Sequence, residues 1–199
     1  MNEETAGTEG QGQRVDGIKI SVVVKGGDKP SDQPEIRGVD PTRPMVALTF
    51  DDGPSSAVTN RILNSLETHG GRATFFMVGN RVPGTAATVS RMVALGNEVG
   101  NHTNDHKYLT NLGDAGIHSN LGQANTHIVN ASGVAPILMR PTGGYYNTAS
   151  LQTLGSMGMP AIMWSIDTLD WKHRNAQRTI NTVLGQVQDG DIILMHDIY

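Results

Sequence analysis

The stretch Val46-Ala47-Leu48-Thr49-Phe50-Asp51-Asp52-Gly53-Pro54 decides the fold, because an apolar run leads directly into two carboxylates and a turn. Apolar runs of about 4–8 residues are typical of buried strands. Further apolar runs are followed in the same way by polar motifs, which begin at His102, Arg140, Asp167 and His196. Functional loops of α/β barrels leave the C-terminal ends of the strands, so this one-sided placement predicts an α/β fold with its chemistry at that end.

Helical patterns alternate with the apolar runs from Met45 onward. A strand is expected at residues 73–78, and the longest helix at residues 112–131. The core-facing side of that helix carries Ile117, Leu121, Ala124 and Ile128. Other helices are expected near residues 58–66, 89–93, 148–157 and 176–187. Strands that alternate with helices of about 10–15 residues indicate a parallel sheet, and six such strands favour a (β/α) barrel over an open sheet.

A chain of 199 residues is long enough for one well-packed domain. Residues 1–13 are polar and rich in Glu, Thr, Gly and Gln, which is typical of a linker. Residues 17–25 alternate loosely and favour an added strand, and residues 26–44 favour a loop that wraps the domain. We therefore divide the chain into an N-terminal linker and wrapping segment, 1–44, and a catalytic domain, 45–199.

Composition excludes several classes of function. The net charge of −4 and the pI near 5.9 lack a basic footprint, which argues against a nucleic-acid partner. The chain has no cysteine, so His and carboxylates are its strong metal ligands. No apolar run approaches the ~20 residues that span a bilayer, and the N-terminus lacks a signal-peptide pattern. This predicts either an intracellular protein or a processed piece of an exported one, and the sequence carries no signal for an oligomeric state.

His102 and His106 are four residues apart, which places two imidazoles on one side of a helical turn or tight loop. Zinc sites accept this spacing with a further ligand, and a carboxylate of Asp51 or Asp52 supplies one. Adjacent carboxylates repel each other unless a dication binds one of them. The other is then free to act as a general base. The alternatives are a pair of surface histidines and an ordinary Asp-Gly-Pro turn.

Two further motifs suggest partners for these groups. Arg140 ends an apolar run and is expected to pair with Asp51, and the following Gly143 lets the backbone approach a substrate so that an N–H stabilises an oxyanion. Asp170 and His196 are expected to form a carboxylate–imidazole pair that raises the pKa of the histidine and suits it to protonate a leaving group.

Trp171, next to Asp170, is expected to form an apolar wall with Leu194 against a small acyl group. From the sequence, Trp171 is equally plausible as a residue that fills the core.

The order and spacing of these motifs resemble the polysaccharide deacetylases of carbohydrate esterase family 4. The resemblance is carried by the motifs at residues 49–54, 102–106, 140–144, 167–171 and 194–197, and it covers about three quarters of the chain. It implies a distorted (β/α) barrel and metal-dependent removal of acetyl groups from N-acetylglucosamine polymers or acetylxylan.

The resemblance also implies individual roles. It makes Asp51 the base, oriented by Arg140, and His196 the acid, oriented by Asp170. It gives the Gly143 N–H a part in holding the oxyanion. The metal ligands that it implies are Asp52, His102 and His106, with Zn²⁺ as the expected ion and Co²⁺ or Ni²⁺ as possible substitutes.

Within the family, the motif at residues 167–172 and the stretch 39–44 are most similar to bacterial peptidoglycan deacetylases. The predicted function is therefore removal of acetyl groups from peptidoglycan N-acetylglucosamine, at an extracellular or cell-envelope location. The alternatives are an acetylxylan esterase and an inactive metal- or carbohydrate-binding domain. Two departures stand out: Thr142 precedes the glycines of the third motif, and the family continues past the last histidine with a helix and a strand. A barrel without those elements is expected to expose apolar surface and an unpaired strand edge.

Overall fold

The computed structural model describes residues 44–199. The predicted linker, the added strand at residues 17–25 and nearly all of the wrapping loop lie outside the described residues. Within them, no helix is both long and apolar enough to cross a membrane.

Parallel strands form the centre of the fold, as predicted. They are β1 (Ala47–Asp51), β2 (Thr74–Met77), β3 (Glu98–Asn101), β4 (Ile166–Asp167) and β5 (Ile192–His196). Their order in the sheet is β3-β2-β1-β5-β4, and every pairing is parallel. β1 is the middle strand of this order, so the Asp51-Asp52 turn that follows it opens at the centre of the C-terminal edge.

Helices follow the strands at the predicted places. They are α1 (Val58–His69), α2 (Ala86–Ala94), α3 (Asp114–Ser132), α4 (Thr148–Ser156), α5 (Asp170–His173) and α6 (Ala176–Gln186). The predicted face of α3 is buried, because Ile117, Leu121, Ala124 and Ile128 are each at most 2% exposed. Gly70 ends α1 in the left-handed conformation, as a C-terminal glycine commonly does. The short helix α5 was not predicted, since four residues are too few for a periodic pattern.

Two predicted strands differ from expectation. The run before Arg140 contributes only Met139, which forms single parallel bridges to Asn101 at the end of β3 and to Ala161. The segment from Ala161 continues into β4, which pairs with β5. Pairing therefore runs around a closed, irregular ring, which is the distorted barrel. The last described strand, β5, is not such an unpaired edge, because it pairs with β1 on one side and β4 on the other.

The expectation of exposed apolar surface holds for α6. None of its residues is buried, and Leu184 is 74% exposed. The main apolar core lies instead between the sheet and helices α1 to α3, around Phe50, Phe75 and Leu63. A second cluster lies between α3 and α4. The C-terminal edge of the sheet therefore lies on a well-packed core formed by the strands and helices α1 to α4.

Candidate active site

Strand register brings the predicted residues to one edge. Asp51, the last residue of β1, is the direct register partner of His196, the last residue of β5. His102 follows the end of β3 at once. The backbone N–H of Arg140 donates to the carbonyl of Asn101 over 2.9 Å, which places the arginine beside that histidine. Four sequence motifs therefore meet at the C-terminal end of the ring.

Asp52, His102 and His106 form a cluster whose possible ligand atoms lie within 4.8 Å of one another. Oδ1 of Asp52 is 2.8 Å from Nε2 of His106 and 3.4 Å from Nε2 of His102. Two imidazoles and one carboxylate at these separations match the ligands of a catalytic zinc site, which leaves further positions open. These residues therefore fit a divalent transition metal.

His102 is held in the orientation that a metal ligand needs. Its Nδ1 lies 2.7 Å from the carbonyl oxygen of Arg140, and a carbonyl only accepts, so Nδ1 carries the proton. The lone pair of Nε2 then points to the cluster, which is the usual arrangement of a metal-binding histidine. The alternative of two surface histidines fails, because the His102 side chain is only 2% exposed.

The electrostatics of Asp52 also fit a cation. Burial alone would raise its pKa, but hydrogen bonds and charge from His102 and His106 outweigh burial and hold the pKa well below its usual range. The carboxyl group therefore stays ionised at neutral pH, as a metal ligand must.

Asp51 and Arg140 form a buried ion pair. Nη1 of Arg140 donates to Oδ1 of Asp51 over 2.8 Å, and the two side chains are 0% and 4% exposed. The same nitrogen donates to Thr49 over 2.7 Å, and Nε donates to the carbonyl of Ile162 over 2.9 Å. Burial lowers the pKa of Arg140, although Asp51 opposes that shift. The predicted pairing is thus present, and it leaves Oδ2 of Asp51 on the side of the metal cluster, 3.8 Å from Nε2 of His102.

His196 and Asp170 are paired as predicted. Nδ1 of His196 lies 2.7 Å from Oδ1 of Asp170, and the backbone N–H of His196 donates to Oδ2 over 2.8 Å. Burial would lower the pKa of His196, but the hydrogen bond and charge of Asp170 outweigh burial and raise the pKa above its ordinary value of 6.5. The ring is fixed at Nδ1, which leaves Nε2 as the ring nitrogen available for proton exchange.

The three residues expected to contact substrate lie at different depths. Leu194 is buried on β5, two residues before His196 and hence on the same face of the strand. Trp171 lies on α5 and is 46% exposed, so it does not fill the core. Gly143 has a left-handed φ of 61°, which glycine adopts without strain, and it follows Arg140 at the rim. Their contacts with substrate remain predictions.

Asp197 is a further residue of the site to which the sequence assigned no role. It is 1% exposed, and its Oδ2 accepts a hydrogen bond from Thr59 over 2.5 Å, while Oδ1 has no partner among the described residues. Burial raises the pKa of its carboxyl group to about 6. A Cβ added to Gly53 would lie 2.2 Å from both carboxylate oxygens, so only glycine fits there. Asp197 therefore packs behind the loop that carries Asp51 and Asp52.

The fold and the site together define an α/β barrel with a His₂Asp cluster that could hold a metal ion, flanked by one arginine-bound carboxylate and one carboxylate-bound imidazole. The family model described as "Polysaccharide deacetylase" matches residues 38–162. The chain belongs to the polysaccharide deacetylase family.

Individual relatives have related names. Over 83% of its length the chain is 42% identical to the peptidoglycan-N-acetylmuramic acid deacetylase PdaC of Bacillus subtilis, of which 35% is covered. Over 79% of its length it is 39% identical to the peptidoglycan-N-acetylglucosamine deacetylase PgdA of Listeria monocytogenes, of which 33% is covered. The solved structure of PdaC matches with a TM-score of 0.76, at 42% identity, over 81% of this chain and 78% of that one. The chain thus spans about a third of the length of these two curated relatives.

Proposed function

We propose that this protein is a Zn²⁺-dependent hydrolase that removes acetyl groups from the N-acetylated sugars of peptidoglycan. The observation that carries the proposal is the placement of two proton-transfer groups around one metal-binding cluster. Asp51 and His196 end adjacent strands in direct register, and each is held by an opposite charge, Arg140 and Asp170 respectively. Hydrolysis of an amide needs one group to accept a proton and another to donate one, and both are present here.

The cluster of Asp52, His102 and His106 would hold the metal. A bound divalent ion supplies Lewis-acid activation of water and of the acetyl carbonyl. Two imidazoles and one carboxylate favour Zn²⁺ and also accept Co²⁺ or Ni²⁺. Oδ1 of Asp52 already lies near both Nε2 atoms, so little rearrangement is needed for the three to share one ion.

The protein's own groups carry the protons. Asp51 accepts a proton from the attacking water through Oδ2, while Arg140 holds Oδ1 and keeps the carboxylate oriented. The water oxygen bonds to the acetyl carbon and the carbon–nitrogen bond breaks. His196 donates a proton from Nε2 to the departing nitrogen, while Asp170 holds Nδ1. The products are acetate and a free amino sugar. We assign to the backbone N–H of Gly143 the stabilisation of the oxyanion that forms when water attacks, before the carbon–nitrogen bond breaks.

The relatives support the choice of substrate. Both curated relatives described above carry names of peptidoglycan deacetylases, one for the N-acetylmuramic acid residue and one for the N-acetylglucosamine residue. Peptidoglycan lies in the cell envelope, so we place the protein there, and detection of it in the envelope fraction of its host tests that placement. The acetylxylan ester is the competing substrate.

Acetate release tests the proposal directly. The purified chain is stripped with a chelator, then restored with Zn²⁺, Co²⁺ or Ni²⁺ and offered N-acetylated peptidoglycan, chitooligosaccharide and acetylxylan. We expect metal-dependent release with peptidoglycan as the best substrate, and mass spectrometry of the product shows which sugar has lost its acetyl group. Release from acetylxylan alone would make the protein an esterase. Metal binding without release from any substrate would indicate a binding domain.

A further inference from the structure

Two exposed tyrosines form a contacting pair at the rim of the ring. Tyr108 is 44% exposed and Tyr145 is 55% exposed. Their ring centroids are 4.9 Å apart and the ring planes are inclined by 47°. Each ring therefore contacts the other, and about half of each tyrosine stays exposed. Aromatic side chains carry large apolar surfaces, so a ligand that covers these rings gains apolar contact.

The pair borders the candidate active site. Tyr108 lies two residues after the metal-binding His106, and Tyr145 lies two residues after Gly143. A Cβ added to Gly143 would be 3.0 Å from the ring of Tyr145 and 3.2 Å from that of Tyr108, so both rings close around this glycine. The two tyrosines therefore lie next to Gly143, the residue whose N–H stabilises the oxyanion in the proposed function.

Strand order places the tyrosine pair across the mouth from the proposed acid. Tyr108 follows β3, and Tyr145 follows the bridge at Met139, which is the next member of the ring. His196 ends β5, on the other side of β1 and β2. A linear substrate that crosses the mouth past His196 and the metal cluster therefore reaches the two tyrosines as it leaves.

The chain segments that continue from the two tyrosines line a concave surface, to which neither tyrosine itself contributes. A cavity of about 320 Å³ lies between the segment that follows Tyr108 and the helix α4 that follows Tyr145. That volume falls at the lower end of the range for small-molecule sites. Its lining is of mixed character and includes the apolar Leu112 and the amides Asn147 and Gln152.

The chemistry of this surface fits a sugar ring. A pyranose has apolar C–H faces that cover an aromatic ring and a polar rim that needs hydrogen-bond partners, which tyrosine hydroxyls and side-chain amides provide. Lys107, which precedes Tyr108 in the chain, is paired with Asp105 over 2.7 Å, so its charge is neutralised. An uncharged sugar is therefore favoured over an anionic group.

We propose that Tyr108 and Tyr145 form a subsite for the sugar adjacent to the one that is deacetylated. The inference rests on the proposed function for the direction of the glycan chain and adds a preference for longer substrates. The tyrosines act through binding and take no part in the chemical step, so the subsite contributes to affinity for chains that reach it.

The test uses N-acetylglucosamine oligomers of two to six sugars with the metal-loaded protein. Tyr108→Ala is expected to raise KM about tenfold for the longest oligomers, which is about 1.4 kcal/mol and in the range of an aromatic contact. We expect kcat to stay within about twofold and the shortest productive oligomer to be unaffected. Tyr145→Phe keeps the ring and loses only the hydroxyl, so it should retain most of the affinity. Tyr146→Ala removes a neighbouring tyrosine, 46% exposed and outside the pair, and serves as the matched control.

Binding measured without turnover separates this inference from the proposed function. Calorimetric titration of the oligomers into wild type and Tyr108→Ala needs no acetate release. Length-dependent binding that the variant loses supports the subsite even if wild type releases no acetate, in which case only the proposed reaction fails. Equal binding by wild type and variant, or an equal loss for all lengths, would overturn the subsite. So would the absence of oligomer binding by wild type. If Tyr108→Ala does not fold, Tyr145→Ala takes its place.

Discussion

Replacement of Arg140 by methionine should destabilise the protein far more than an ordinary arginine substitution. The guanidinium is 0% exposed and donates to Asp51 over 2.8 Å, to Thr49 over 2.7 Å and to the carbonyl of Ile162 over 2.9 Å. It also lies over the ring of Phe76, 4.3 Å from its centroid. Methionine fills much of the volume but leaves the Asp51 carboxylate buried without its cation. Removal of one partner from a buried ion pair costs about 3–5 kcal/mol.

The measurement is urea unfolding in the presence of a chelator, because a bound metal would add its own stabilisation. For a chain of this size the loss corresponds to a fall of about 6–20 °C in melting temperature. The matched control is Arg91→Met, which removes a pair with Glu67 at 3.0 Å whose side chains are 34% and 56% exposed, and which should lose less than about 1 kcal/mol.

A second substitution tests the reason for the loss. Adding Asp51→Asn to Arg140→Met removes the unpaired charge, so the double variant should recover about 2 kcal/mol. If Arg140→Met and Arg91→Met lose the same free energy of unfolding, Asp51 and Arg140 do not form a buried ionic contact. If the double variant recovers nothing, the loss comes from packing and the reasoning from charge is wrong.

Three further substitutions test the assigned roles. Asp51→Asn should abolish acetate release yet keep stoichiometric metal in elemental analysis, because all three ligands remain. His102→Ala should lose both metal and activity, while His118→Ala, an exposed histidine outside the cluster, should keep both. Activity should fall as pH rises through the raised pKa of His196, because the acid must be protonated, and Asp170→Asn should move that alkaline limb to lower pH. An alkaline limb that Asp170→Asn leaves in place would contradict the pairing. The same pair also stabilises the folded state, fully below pH 6.5, and this contribution is lost as pH rises through the folded-state pKa of His196.

Much of the fold was predictable because the apolar runs of the strands and the apolar spacing of the helices are distinct in this sequence. The buried face of α3 was predicted correctly from the spacing of its apolar residues. The failures lie where the ring is irregular. The run that ends at Met139 has a strand-like composition, but it forms only single bridges, because its pairing depends on two neighbours that the sequence does not bring together. Bridges between segments far apart in the chain decide which apolar runs become regular strands, and the residues of the run itself do not show this.

The site was predictable as a set of residues, and its electrostatic pairs were predictable from charge. An arginine and an imidazole at strand ends each need a carboxylate, and the structure supplies Asp51 and Asp170. No role was predicted for Asp197, because the sequence does not distinguish a carboxylate buried behind a loop from an ordinary turn residue. Its one available signal was Gly53, which marks a close approach but does not say what approaches.

The backbone conformation around Asp52, His102 and His106 explains why the geometry of this site could not be predicted from the spacing of the histidines in the sequence. Asp52, Thr103 and His106 have φ values of 75°, 64° and 59°, a left-handed conformation that costs a non-glycine residue about 1–3 kcal/mol. The spacing of His102 and His106 is compatible with a helical turn, but the turn observed is a strained loop. Hydrogen bonds hold it, since the Thr103 N–H donates to the side chain of Asn101 over 2.7 Å. Strain of this kind persists only where surrounding contacts enforce it, so the ligand positions are set by the barrel edge rather than by the motif itself.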